Sequence, residues 1–134
     1  MPSTIILFLL ILASMFLLGN TREELLNHDI ESNSALEKIT FDISTTSGEE
    51  LRNPPDRLRA VSYEFCIPKE DKFVTEVKAI DSSVMFYGSS RGRIGCQENQ
   101  YLCIGTIQSP QWKEILLSLA RLDYVERIDR FLGE

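Results

Sequence analysis

Apolar and polar residues alternate strictly through the middle of the chain: Val61, Tyr63, Phe65 and Ile67 fall on one side, and Ser62, Glu64 and Cys66 on the other. A period of two is that of a strand buried on one face, and Pro68 closes it. Beyond that the period changes. Phe73, Val74, Val77 and Ile80 recur at helical spacing behind Asp71, which can cap a helix, and Asp81-Ser82-Ser83 stops it. Residues 84–87 predict a short second strand. Residues 93–106 hold two apolar runs around the polar residues 97–100, the pattern of an antiparallel hairpin, and this hairpin is expected at the middle of the fold. Ser109-Pro110 has the chemistry of a helix start, and Trp112, Ile115, Leu116, Leu119 and Leu122 form the core stripe behind it, with Trp112 as an anchor. Val125, Ile128 and Phe131 fit either a continuation of that helix or a last strand. Their β-branched and aromatic character favours the strand.

The order strand, helix, strand, strand, helix, strand over residues 59–134 resembles a ferredoxin-like α+β (βαββαβ) sandwich, with an antiparallel sheet and two helices on one face. The resemblance concerns the order of elements and carries no functional motif.

The amino-terminal part differs in kind. Residues 4–19 contain no charge, which predicts a membrane segment in residues 1–20, with Ile5, Phe8, Leu12, Phe16 and Leu18 in contact with lipid. The run is slightly short for a span and slightly long for the apolar centre of a signal peptide. No Lys or Arg precedes it and no small-x-small site ends it, so an uncleaved single-pass signal-anchor is favoured over a removed signal peptide. Residues 21–58 form an acidic connector. Leu25, Leu26, Ile30, Leu36 and Ile39 give only a thin helical stripe, and residues 44–56 have the turn-rich composition of a flexible tether ending at Pro54-Pro55.

The net charge of −6 lies mainly in that connector. A near-neutral domain behind an acidic arm does not suggest nucleic-acid binding, which draws its affinity from clustered Lys and Arg, and it disfavours an anionic lipid surface. The positive-inside rule is barely engaged, since Arg22 alone flanks the apolar run. An extracytoplasmic domain is expected because short amino-terminal anchors and signal peptides usually export the polypeptide behind them; an inward-facing domain, and secretion or periplasmic release after cleavage, are the alternatives.

The thiols are the main candidates for chemistry. Alternation places Cys66 opposite the helix-facing residues. If Leu102 and Ile104 face the helices, Cys103 shares the helix-free face with Cys66, and pairing across the turn brings Cys96 there as well. The favoured reading is that the three are small buried hydrophobes of the sheet; one disulfide, Cys66 with Cys103 or Cys96 with Cys103 with the odd thiol free, is the alternative in an oxidising compartment. Arg91, Gly92 and Arg93 lie in a glycine-rich stretch that could wrap an anion, although no phosphate-loop motif is present. The only histidine, His28, lies in the connector, so zinc would need carboxylates to complete its shell. No triad or nucleophile elbow occurs, and Glu64, Asp81, Glu98 and Glu126 show no pairing of an acid with a base. No cofactor or metal is implied.

These features lead to an expectation of a membrane-tethered, non-catalytic interaction module. It would bind a protein partner, or a second copy, through an open sheet face around Glu64, Ile94, Tyr101 and Cys103. Two rivals remain: a thiol-dependent or anion-binding enzyme using Cys96 or Cys103 near Arg91 and Arg93, and a small-molecule sensor domain.

Overall fold

The computed structural model describes residues 2–43 and 62–133, and of the apolar start it describes the side chains of Ile6, Leu10 and Ile11. Helix α1 is Pro2–Glu37, followed by β1 Ser62–Pro68, α2 Asp71–Ile80, β2 Met85–Tyr87, β3 Gln100–Thr106, α3 Trp112–Ala120 and β4 Asp129–Phe131. The chain divides into two units, Met1–Asn33 and Ser34–Glu134.

In the first unit, Leu25, Leu26 and Ile30 are exposed. Among the described residues, no helix is long and apolar enough to cross a membrane. The side chains assigned to the span, Ile5, Phe8, Leu12, Phe16 and Leu18, lie outside the described residues, as do residues 44–61 of the tether and the start of the first predicted strand.

The second unit is an α+β fold around a four-stranded antiparallel sheet in the order β2-β3-β1-β4. The first and third strands are the central neighbours, as the order of elements leads one to expect. Tyr63, Phe65 and Ile67 of β1 are fully buried with Val77 of α2 and Leu116 and Leu119 of α3, so both helices cover this one face. The α2 and α3 stripes follow the predicted spacing. Their starts differ from expectation: Asp71 is already helical, with Glu70 at the cap position, and Gln111 rather than Ser109 occupies the cap of α3. The Ser109 hydroxyl still accepts a bond from the Gln111 N–H at 3.1 Å, bracing the approach to the helix.

Three expectations are corrected. First, the folded unit starts well before residue 59. Ala35, Ile39 and Ile43 are buried in the same core, so part of the supposed connector is structural. The Thr40 N–H donates to the Ile128 carbonyl at 3.0 Å and the Ile128 N–H to the Lys38 carbonyl at 2.8 Å, a parallel bridge that fastens this segment beside β4. Second, the hairpin is made by β2 and β3, not by residues 93–96 and 101–106. Gly92 and Gly95 adopt φ of 63° and 83°, and the Cys96 N–H turns back to the Arg91 carbonyl at 2.8 Å, so this stretch is a coiled loop and cannot extend as a strand. Third, the faces of β3 are the reverse of those expected. Phe65 is paired with Cys103 and Cys66 with Leu102, so Cys103 and Tyr101 look toward the helices while Leu102 and Ile104 look away. Leu102 is nevertheless buried, because the loop lies over it. The last strand is present but short, with Val125 and Ile128 buried just ahead of it.

Gly105 is demanded by packing. It pairs with Tyr63, and a side chain there would overlap the Tyr63 ring.

Candidate functional site

Residues 88–99 leave β2 and fold back across the side of the sheet that the helices do not cover. Lys69 anchors both ends of the loop: its N–H donates to the Asn99 carbonyl at 3.0 Å, and its Nζ to the Gly88 carbonyl at 2.8 Å. In between, a disulfide joins Cys96 to Cys66, with Cα atoms 5.5 Å apart. The favoured reading of three unbonded thiols is therefore corrected for Cys66 and Cys96, and the pair that forms is neither of the two weighed as alternatives. Cys103 took no part because the register turns it into the core, where it is a free, fully buried thiol. Burial pushes that thiol up to about 12, since a thiolate there would lose its hydration.

Glu64 lies under the loop and is 2 % exposed. Its Oε1 accepts the Ile94 N–H at 3.2 Å, while Oε2 has no hydrogen-bond partner among the described residues. Desolvation is the main reason that its carboxyl is held above the ordinary range, with the Asp129 charge acting in the same direction. The Ile94 N–H, Arg93 and Arg127 pull the other way. Gly92 has no room for a side chain, which would press on Leu102 and on Glu64 Oε2.

Within the stretch that could wrap an anion, one backbone N–H, that of Ile94, goes to the chain's own Glu64. Two further donors are used inside the fold: the Gly95 N–H goes to the Arg91 carbonyl at 3.2 Å, and Arg91 Nε goes to the Cys96 carbonyl at 3.0 Å. From outside, Arg127 Nη2 donates to the Ile94 carbonyl at 3.1 Å, and its Nε pairs with Asp129 at 2.9 Å. A cleft of about 120 Å³ runs beside the disulfide, lined by Ile94, Gly95, Gln97, Gln100, Glu126 and Arg127.

The four residues assigned to a partner face do not share one. Glu64 and Ile94 meet beneath and within the loop, whereas Tyr101 packs on the helix side against the edge of Phe86. Cys103 is on that same side. What stays open on the loop side is the β2 margin. Met85 and Tyr87, 60 % and 43 % exposed, pair with Ile104 and Leu102 and so extend the row that the loop covers. Arg91 and Arg93, in the loop, are exposed as well. Sequence reasoning missed Met85 and Tyr87 because a short strand gives too few positions to tell its two faces apart.

Among the described residues, no group of three or more His, Cys, Asp or Glu side chains could hold a metal ion. No protein-family model matches the chain, and neither a curated protein nor a solved structure matches it.

Proposed function

We propose that this chain is a membrane-tethered, non-catalytic interaction module. Its folded unit, read as a ferredoxin-like sandwich from the strand order, stands outside the cytoplasm and binds a protein partner through the braced loop and the adjoining β2 margin. The observation that carries this reading is the bond between Cys66 and Cys96. Such bonds persist in oxidising compartments, and this one holds a glycine-containing loop in a single shape, lowering the ordering cost of binding. Exposed Met85 and Tyr87 offer apolar contact, and Arg91 and Arg93 offer charge to a partner carrying acidic side chains. The uncharged run of residues 4–19 is the support for the tether; as a helix it would be about 24 Å long, against roughly 30 Å of hydrocarbon.

The thiol-enzyme alternative loses its chemical support. Cys96 is consumed in the disulfide, and Cys103 is buried with its thiol pushed up to about 12.

The test is site-specific photo-crosslinking in membranes, with the reactive group placed at position 85 or 93 of the full-length chain. The expected result is a covalent adduct to a protein, and the adduct from position 85 is lost when Arg93→Glu is combined with Tyr87→Ser. Absence of an adduct at both positions, alongside efficient crosslinking from the exposed side of α2, would refute the assignment of this surface.

A further inference from the structure

A second cavity, of about 290 Å³, lies on the helix-covered side of the sheet, where the end of α2, the end of β3 and the start of α3 converge. Its polar wall is Asp81 with Tyr63 and Ser83; its apolar wall is Trp112, Ile115 and Ile107. Asp81 is 8 % exposed. Its Oδ2 accepts the Tyr63 hydroxyl, and its Oδ1 accepts the Ser83 N–H at 2.8 Å. Both donors are neutral. Among the described residues no Lys, Arg or His forms an ion pair with this carboxylate.

Such a charge is in the wrong place for a purely structural group. Asp81 succeeds the last residue of α2, and its own N–H caps the Val77 carbonyl at 2.9 Å, so the carboxylate sits at the negative end of the helix dipole. Asparagine would make the same turn onto the Ser83 N–H without burying a charge. A carboxylate also has about four acceptor positions, two of which are filled here. The missing component is a positive charge, and the cavity beside it has room for the molecule that would bring one.

We propose that this cavity is a binding site for a small organic cation, with an ammonium group on Asp81 and an apolar body against Trp112, Ile115 and Ile107. Its volume is at the lower end for ligand pockets and suits a fragment-sized amine. The ammonium offsets the unpaired buried charge, which a neutral ligand of the same shape does not. The site is separate from the loop surface and stands whether or not that surface binds a protein.

Trp112 is the only tryptophan in the chain, so its fluorescence reports on this wall alone. The full-length, disulfide-intact protein in detergent is titrated with 2-phenylethylamine and, in parallel, with its neutral counterpart 2-phenylethanol. The amine is expected to give a saturable change at a concentration at least tenfold lower than the alcohol, and Asp81→Asn is expected to abolish that preference. Equal response to the two compounds, no response to either, or a preference that survives Asp81→Asn overturns the proposal. Should Asp81→Asn fail to fold, Ile115→Phe narrows the cavity and leaves the carboxylate in place. Loss of the amine response in that variant supports the site, and an undiminished response overturns it.

Discussion

Glu64 and Cys103 both have a proton equilibrium altered by burial, and each leads to a measurable consequence. Because the Glu64 carboxyl is held above its ordinary range, the folded chain keeps this proton to a higher pH than the unfolded chain does. Its contribution to stability is therefore fully present below the unfolded value and is lost as pH rises through the folded one. Glu64→Gln removes the charge and keeps an acceptor for the Ile94 N–H. Denaturation midpoints of the two proteins should converge in acid and separate toward neutral pH, with the glutamine variant the more stable; parallel profiles would show that the carboxylate is not penalised. For Cys103, iodoacetamide at pH 8 should leave the native thiol unmodified and label it fully once the chain is unfolded in guanidinium. Native-state labelling would contradict its burial. Neither property could be read from the sequence. Whether Cys103 faces the helices depends on a register set by β1, and Glu64 became buried only because a loop distant in sequence returned over it.

Periodicity disclosed the elements whose two sides differ in residue type. α2 and α3 each have a core stripe and a polar back, and β1 alternates apolar Tyr63, Phe65 and Ile67 with Ser62, Glu64 and Cys66 even though the loop covers Glu64, so all three were legible. β3 was not, because it is buried on both faces, by the helices on one side and by residues 88–99 on the other, and hydrophobicity then carries no face label. The loop reads as a strand in the sequence, since Ile94 and Cys96 are apolar enough for one, while the positive φ of Gly92 and Gly95 is a conformational property that composition only hints at. The bond that fixes this loop closes a separation of 30 residues, for which the chain-entropy model gives about 3–4 kcal/mol. Replacing Cys66 and Cys96 together by serine should lower the stability of the unit by about that amount, read from urea midpoints. It should also open residues 88–99 to limited proteolysis before global unfolding. A doubly substituted protein as stable and as resistant as the parent would mean that Lys69 and the Glu64–Ile94 bond hold the loop by themselves.

At the level of the whole chain, the decisive boundary is Ser34 and not the Pro-Pro pair. Ala35, Ile39 and Ile43 recur every four residues, a signal present in the sequence but masked by the acidic residues around it. A chain beginning at Ser34 should melt cooperatively. One beginning at Arg59 loses the burial of two isoleucines, on the order of 3–6 kcal/mol in total, which is most of the margin that a small domain possesses. Its expected behaviour is a broad, weakly cooperative thermal transition by circular dichroism; a sharp transition at the parent temperature would show that residues 34–43 are dispensable. The position of the disulfide has one more consequence, which concerns order of appearance. Cys66 and Cys96 are the first two thiols of the chain, and Cys103 is the third. If the chain is exported as proposed, delivery from its amino end would offer an oxidant this pair before the competitor arrives. The competitor would then be withdrawn into the core as β3 docks, so order of delivery and finished architecture would select the same partners.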